Sequence, residues 1–343
     1  MPKPKRLNQV AIANATGVSR ATVSLVLRGG HGSSEETKAK VHAAAEKMGY
    51  RPNALVHSIR SGKSRTVGVL VPPHDEYWKS VCFGIHDRLV EAEHLPLFLW
   101  DSEHHTQTAE QYALSQIHRL LDRWVDGVIL WPEFSKHYAG HLHEFKRRNI
   151  PVVVIDHFVP GLEADVIESN EAMIADIIVD HLSALKHRSF LVVSGPEGLG
   201  WADERCTALS KKLTTVQESK VVELRLPFGT DLGDAITDSL RQNPSITAII
   251  ATTDNFAKKS YVAAHRLGLD VPGKISVIGV GNLAFSDVMS PPLTTINQNG
   301  YAVGRKAAQV ELERSSGILT GPAHFFTLPV ELIERSSTGV APR

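Results

Sequence analysis

The sequence predicts an α/β protein: a three-helix N-terminal domain built on a helix-turn-helix, a short hinge helix, and a body of two doubly wound parallel sheets. Three observations carry that prediction. The first is the stretch Asn8 to Leu27, which reads as two short helices joined by a tight turn. Asn8 caps a helix running to about Ala15 with Ile12 and Ala13 inward, Gly17 supplies the turn, and Ser19 caps a second helix whose inward residues are Val23, Val26 and Leu27. That spacing is the one used by DNA-binding helix-turn-helix units, although it also fits an ordinary helical hairpin.

The second observation is charge. The 343-residue chain is formally neutral. Residues 1–65 nevertheless hold twelve Lys and Arg against three Glu, a net +9, so the remainder carries −9. A basic head on an acidic body points to a polyanionic partner for the head alone and favours the DNA-binding reading. The third is the alternation of short β-branched runs with helical stretches from about residue 66 onward, the pattern of parallel sheets covered by helices.

The length suits two or three domains with buried cores, and 42 % apolar residues is ordinary for a globular chain. No run of about 18 apolar residues exists, which excludes a membrane-spanning helix by hydropathy. The basic N-terminus has no apolar segment after it, so no signal peptide is expected. Cys82 and Cys206 are too few for a disulfide framework or metal site, and a cytoplasmic location with reduced thiols is expected.

Within the head, Arg28 to Gly32 reads as a loop and Ser34 caps a third helix, with Glu35 and Glu36 in its first turn. Val41, Ala44, Ala45 and Met48 form its apolar stripe, and Gly49 ends it. Asn53 then caps a helix of barely two turns, Ala54 to Arg60, too short to be stable free in water. With Arg60 and Lys63 beside it, this segment is expected to fold on contact with DNA.

In the body, strands are expected at 67–71, 97–100, 127–131 and 152–156, and again at 190–194, 221–226, 248–252 and 275–280. Helices near 77–93, 107–122, 136–148, 170–186, 202–213, 232–242, 255–267 and 300–314 lie between or after them. Ligands of open parallel sheets bind at the strands' carboxyl ends. The loops there are Pro72 to Trp78, Trp131 to Phe134, Asp156 to Phe158, Gly195 to Arg205, Thr252 to Asn255 and Gly279 to Asn282.

Taken together, Gly17-Val18-Ser19, Thr22-Val23-Ser24, Ser34 to Thr37, Gly49-Tyr50 and Pro52-Asn53 resemble the head of LacI/GalR-family transcriptional regulators, and the likeness runs essentially end to end. The resemblance implies a two-lobed periplasmic-binding-protein-like effector domain after the head. It implies domains at 1–52 (helix-turn-helix), 53–64 (hinge helix and linker) and 65–343 (effector binding and dimerisation). The N-subdomain would comprise about 65–159 and 292–319, the C-subdomain about 160–291 and 320–343, with crossings near 160, 290 and 320. It also implies that Arg20 and Ala21, with Leu25 one turn later, face base edges in the major groove. Arg20 has its own warrant, since a guanidinium pairs bidentately with guanine. Ser19, Thr22, Ser24 and Asn53 are candidate phosphate contacts, and Asn8 is a further candidate DNA contact. Ile59 stands where the family offers a leucine wedge for the minor groove, flanked by Val56, His57 and Arg60.

The resemblance places Tyr77 and Trp78 as an aromatic pair beside the effector and Asp156 as an acidic pocket residue. Arg205 matches the arginine of an RxxG motif whose glycine is here Ala208, and Thr253-Asp254 matches an Asn/Ser-Asp pair. The family's Phe-Asp-Asp after the late strand is replaced by Val280-Gly281-Asn282, so a carboxylate that often holds sugar hydroxyls is missing. Trp201 adds a bulky wall four residues before Arg205. Candidate effector contacts are therefore Tyr77, Trp78, Asp156, Trp201, Arg205, Asp254 and Asn282.

Rival chemistries fail on inspection. Gly279-Val280-Gly281 lacks the third glycine of a dinucleotide fingerprint, no P-loop exists, and Ser194 sits in no GxSxG elbow. His137, His141 and His143 read as a solvated face, not a zinc site. No catalytic set and no cofactor are expected. The partners expected are operator DNA, a small-molecule effector (a sugar or another small metabolite) and a second copy of the chain. A regulator answering to a partner protein, or a solute-binding protein of the same fold, are the alternatives. The latter would carry a secretion signal and no basic head.

Overall fold

The structure is a computed structural model that describes residues 8–27, 30, 32–51, 62–71, 73, 75–100, 109–132, 142–156, 161–227 and 231–342. The chain divides into two compact units, Met1–Ser64 and Arg65–Arg343. The hinge positions Asn53, Val56, Ile59 and Arg60 lie outside the described residues, as do His137 and His141.

In the first unit, α1 (Gln9–Thr16), α2 (Arg20–Val26) and α3 (Glu35–Lys47) each begin at a side-chain cap. Asn8 Oδ1 accepts from the Ala11 N–H at 3.1 Å, Ser19 Oγ from Thr22 at 3.0 Å and Ser34 Oγ from Thr37 at 3.3 Å. Such caps satisfy N–H groups that the first helical turn otherwise leaves without partners. Gly17 ends α1 at φ 70°, a left-handed conformation that a Cβ disfavours. Ile12, Ala13, Val23, Val26, Val41 and Ala45 form the buried core, with Val18, Leu27, Ala44, Met48 and Tyr50 around it.

The second unit holds two six-stranded sheets. The first has the order β11–β5–β4–β3–β1–β2, from Phe325–Leu328, Asp165–Ser169, Val152–Ile155, Gly127–Leu130, Thr66–Leu70 and Leu95–Phe98. The second has the order β12–β10–β9–β8–β6–β7, from Glu331–Ile333, Thr294–Asn297, Ser276–Val280, Ala248–Ala251, Ser189–Ser194 and Lys220–Arg225. All neighbours are parallel except β10 and β12. The second strand starts two residues earlier than expected and includes Pro96, which the edge of a sheet tolerates because no ladder N–H is needed on its free side.

The crossings between lobes fall later than 160, 290 and 320. β5 pairs with β4, β10 with β9, and β11 with β5, so the chain changes lobe after β5, after β10 and after β11. The subdomain limits expected from the sequence are corrected accordingly. β5 escaped notice because it carries Asp165 and Glu168. Asp165 is buried all the same, held by Arg314 Nε and Nη2 at 2.7 and 2.8 Å from 149 residues away.

Helices α4 (Glu76–Glu91) and α11 (Gly300–Ser316) cross in the first lobe at backbone contact. A Cβ on Gly84 would stand 2.1 Å from the Tyr301 carbonyl oxygen, and one on Gly304 2.0 Å from that of Val81. Between them come α5 (Ala109–Asp122), α6 (His143–Arg147), α7 (Glu171–Ala184), α8 (Gly200–Leu213), α9 (Leu232–Gln242) and α10 (Asp254–Arg266). No described helix is long and apolar enough to cross a membrane.

Candidate ligand cleft and nucleic-acid interface

The two sheets of the second unit meet at the carboxyl ends of their strands around a cavity of about 430 Å³, within the range of roughly 300–1,000 Å³ usual for small-molecule sites. From the first lobe come Asp75, Tyr77 and Trp78 at the start of α4, Trp131 after β3 and Asp156 after β4. The second lobe adds Pro196, Leu199, Trp201 and Arg205 from the β6–α8 segment, then Thr253, Asn255 and Phe256 at the start of α10. Val280, Gly281 and Leu283 follow β9, and Gln298 stands at the crossing after β10.

The aromatic wall is continuous. Trp78 and Trp131 have ring centroids 4.6 Å apart, and Tyr77 meets Trp78 edge-on at 5.1 Å. Asp75 caps α4 by accepting from the Trp78 N–H at 3.1 Å, which fixes where both aromatics emerge. Across the cleft, the Arg205 guanidinium lies 5.5 Å from the centre of the Trp201 ring. Arg205 is 3 % exposed and forms a fork with Glu171, Nε to Oε2 at 2.7 Å and Nη2 to Oε1 at 2.6 Å, while Nη1 donates to the Thr252 carbonyl at 2.7 Å.

Asp156 has φ 74° and a partly buried side chain. Burial pushes its carboxyl up to about 7, with the fields of Glu171, Glu204 and Glu168 adding and Arg205 opposing. Burial likewise holds the Tyr77 phenol well above its usual value, with Asp156 contributing.

Of the seven expected contacts, Tyr77, Trp78, Asp156, Trp201 and Arg205 line the cavity. Asp254 and Asn282 are corrected. Asp254 is wholly buried; its Oδ2 accepts from the Leu283 N–H at 2.8 Å and Ser286 Oγ at 2.7 Å, and its Oδ1 from Thr295 Oγ1 at 2.6 Å. It therefore shapes the loop after β9 instead of facing the cavity. Asn282 turns to the C-terminal segment, where its Oδ1 accepts from Arg335 Nη2 at 2.8 Å.

Several wall residues were not foreseen. Gln298 carries a faint signal, a polar side chain two residues after the β-branched run Thr294 to Ile296. Leu226, Pro227, Leu232, Phe256 and Leu283 carry none beyond proximity to strand ends. Glu171, the partner of Arg205, lies 34 residues upstream with nothing in the spacing to announce it. Glu76 was also missed: its carboxylate accepts from the Ala284 N–H across the cleft, bridging the two lobes.

In the head, Arg20 and Ala21 are exposed on the first turn of α2, and Ser24 and Leu25 follow on the same face, opposite the buried Val23 and Val26. Ser19 and Thr22 are linked, with hydroxyls 2.9 Å apart. Leu25 is half-covered, because Gly30 packs against it so closely that a Cβ there would stand 2.4 Å from Leu25 Cδ1. Its apolar edge is narrower than the spacing alone implied. Among the described residues no group of three His, Cys, Asp or Glu could hold a metal ion.

Two family descriptions match the chain: "Bacterial regulatory proteins, lacI family" over residues 11–53 and "Periplasmic binding protein-like domain" over residues 179–338. The chain is 28 % identical to the HTH-type transcriptional repressor CytR of Escherichia coli (strain K12) over 335 residues, covering 96 % of each. It is 29 % identical to the HTH-type transcriptional regulator reg1 of Streptomyces lividans over 353 residues, again covering 96 % of each. The crystal structure of the lac repressor dimer bound to operator and the anti-inducer ONPF matches with a TM-score of 0.86 at 24 % identity, covering 98 % of this chain and 100 % of that one. The chain thus carries a head that matches the lacI-family description and a body that matches the periplasmic-binding-protein-like one, and its relatives at 28–29 % identity align with it almost end to end.

Proposed function

We propose that the protein is a cytoplasmic, homodimeric transcriptional repressor that binds a pseudo-palindromic operator and responds to a small molecule held between its lobes. The observation that carries this reading is a walled cavity at the facing strand ends of a chain that begins with a basic helix-turn-helix. The exposed turn of α2 supplies Arg20 for base edges, with Ala21 and the narrow edge of Leu25 beside it. Asn8, Ser19, Thr22 and Ser24, none of them buried, would make the remaining DNA contacts of the head, Ser19, Thr22 and Ser24 to phosphates. Asn53, Val56, Ile59 and Arg60 would complete the contact at the operator centre by inserting an apolar wedge.

The effector would bind among Tyr77, Trp78, Asp156, Trp201 and Arg205. Because these residues come from both lobes, a bound ligand favours one inter-lobe angle over others and shifts the population accordingly. The segment 53–64 would transmit that change to the head. Control by a small molecule is favoured over control by a partner protein because a partner surface would not need an aromatic-walled cavity between the lobes.

Fluorescence anisotropy of the full chain on labelled genomic fragments tests the DNA-binding half. A few fragments should bind far more tightly than the rest, with affinities that fall steeply with salt. Uniform, salt-insensitive binding would refute it. Arg20→Ala should flatten the preference between fragments by about 1–3 kcal/mol at the contacted position, whereas Thr22→Ala should weaken binding to all fragments alike.

A further inference from the structure

The polar groups of the cleft are unequally provided for. Asp75 is occupied as a helix cap, Gln298 Nε2 donates to Ser169 Oγ at 3.1 Å, and Arg205 is engaged by Glu171 and Thr252. Asp156 differs: no hydrogen bond to its carboxylate is found among the described residues, although it stands in the cavity wall. The buried Tyr77 hydroxyl beside it makes no hydrogen bond of good geometry among the described residues, Ser169 being the polar group nearest to serving it.

The charge around this wall is predominantly negative among the described residues. Asp156 feels Glu168, Glu171 and Glu204 against Arg205, whose charge is already matched by Glu171. Among the described lining residues Arg205 is the one cation, and Asp75 and Asp156 are both acidic. Among the described residues the field therefore favours a cation over an anion. The aromatic wall of Tyr77, Trp78, Trp131 and Trp201 adds to this, because indole and phenol faces attract cations and stack on flat rings. A polyhydroxylated ligand is less well served. Gly281 offers no side chain, Asp254 is committed to its own loop and Asn282 to Arg335.

We infer that the effector is an organic amine, protonated at neutral pH and carrying a flat apolar body, with its ammonium on Asp156 and its ring among Tyr77, Trp78, Trp131 and Trp201. The inference rests on the effector reading above and names the ligand class for that same cavity. The ammonium supplies the donors that Asp156 lacks, and its positive charge answers the carboxylates on both sides of the cleft.

The test is a matched series of indoles on the full-length protein: tryptamine (cation), tryptophol (neutral) and indole-3-acetate (anion), with ribose and adenosine alongside. Melting midpoints and isothermal titration are the readouts. Tryptamine should raise the midpoint and bind at least about tenfold more tightly than tryptophol, the difference expected of a charge-assisted hydrogen bond, and indole-3-acetate should not bind. In Asp156→Asn the preference for tryptamine over tryptophol should vanish. Tryptophol binding as well as tryptamine, or a preference that survives Asp156→Asn, would overturn the inference. If ribose or adenosine raises the midpoint and no indole does, the amine is wrong and the effector cavity stands. If none of the five probes moves it, both readings fall.

Discussion

Asp156, directly after β4, and Asp254, in the segment after β8, both stand near the carboxyl end of a central parallel strand at the cleft, and they have opposite employment. Asp254 is held by three donors from Leu283, Ser286 and Thr295, whereas Asp156 faces the cavity with no donor among the described residues. A carboxylate at a strand's carboxyl end is thus not a ligand contact by position alone. What decides is whether the fold already supplies its hydrogen-bond partners. The first lobe presents its acid to the cavity; the second uses its acid to build the loop that carries Leu283 and Ala284.

The sharpest way to break this contrast is Asp254→Ala. It orphans three buried donors and should cost about 3–5 kcal/mol in urea denaturation. A loss below 1 kcal/mol would show that the loop after β9 does not depend on it. Next in size is Glu171→Ala, which leaves the Arg205 guanidinium buried without its fork. A loss of about 2–3 kcal/mol is expected, with weakened binding of any cleft ligand, both read by the same titrations.

Asp156→Asn should go the other way. The folded carboxyl is raised to about 7 and the unfolded one sits near 3.8, so the folded state holds the extra proton between those values. Wild-type stability from this group is full below about pH 4 and is lost as pH rises through 7. The asparagine variant should therefore match the wild type near pH 4 and exceed it by about 1–2 kcal/mol at pH 8, the shift being discounted for partial exposure. Equal stability curves from pH 4 to 8 would contradict the burial of that carboxylate. The smallest effect belongs to the inter-lobe clasp. Glu76→Ala should cost only about 0.5–1 kcal/mol of stability but loosen the closed arrangement, seen as faster amide exchange at Ala284.

The head was legible in the sequence because its determinants are local. Asn8, Ser19 and Ser34 cap their helices from three residues away, Gly17 makes the turn, and Ile12, Val23, Val26 and Val41 meet at helical spacing. In the body eight strands were legible as short, mostly apolar runs, for the same reason. β5 was not, because Asp165 is made buriable by Arg314, 149 residues on. The first crossing shifted with it. At the cleft, the aromatic wall, Asp156 and Arg205 could be read from loops after strands. The fates of Asp254 and Asn282 could not, since their partners Thr295 and Arg335 lie 41 and 53 residues downstream.

The central claim, that the head reads a specific operator, is tested most directly by selecting bound duplexes from random-sequence DNA with the full-length protein and sequencing them. Enrichment of one pseudo-palindromic motif is expected, with the Arg20→Ala protein losing a base preference at the same position in both half-sites. A selected pool no different from the starting library, or a motif unchanged by Arg20→Ala, would contradict it.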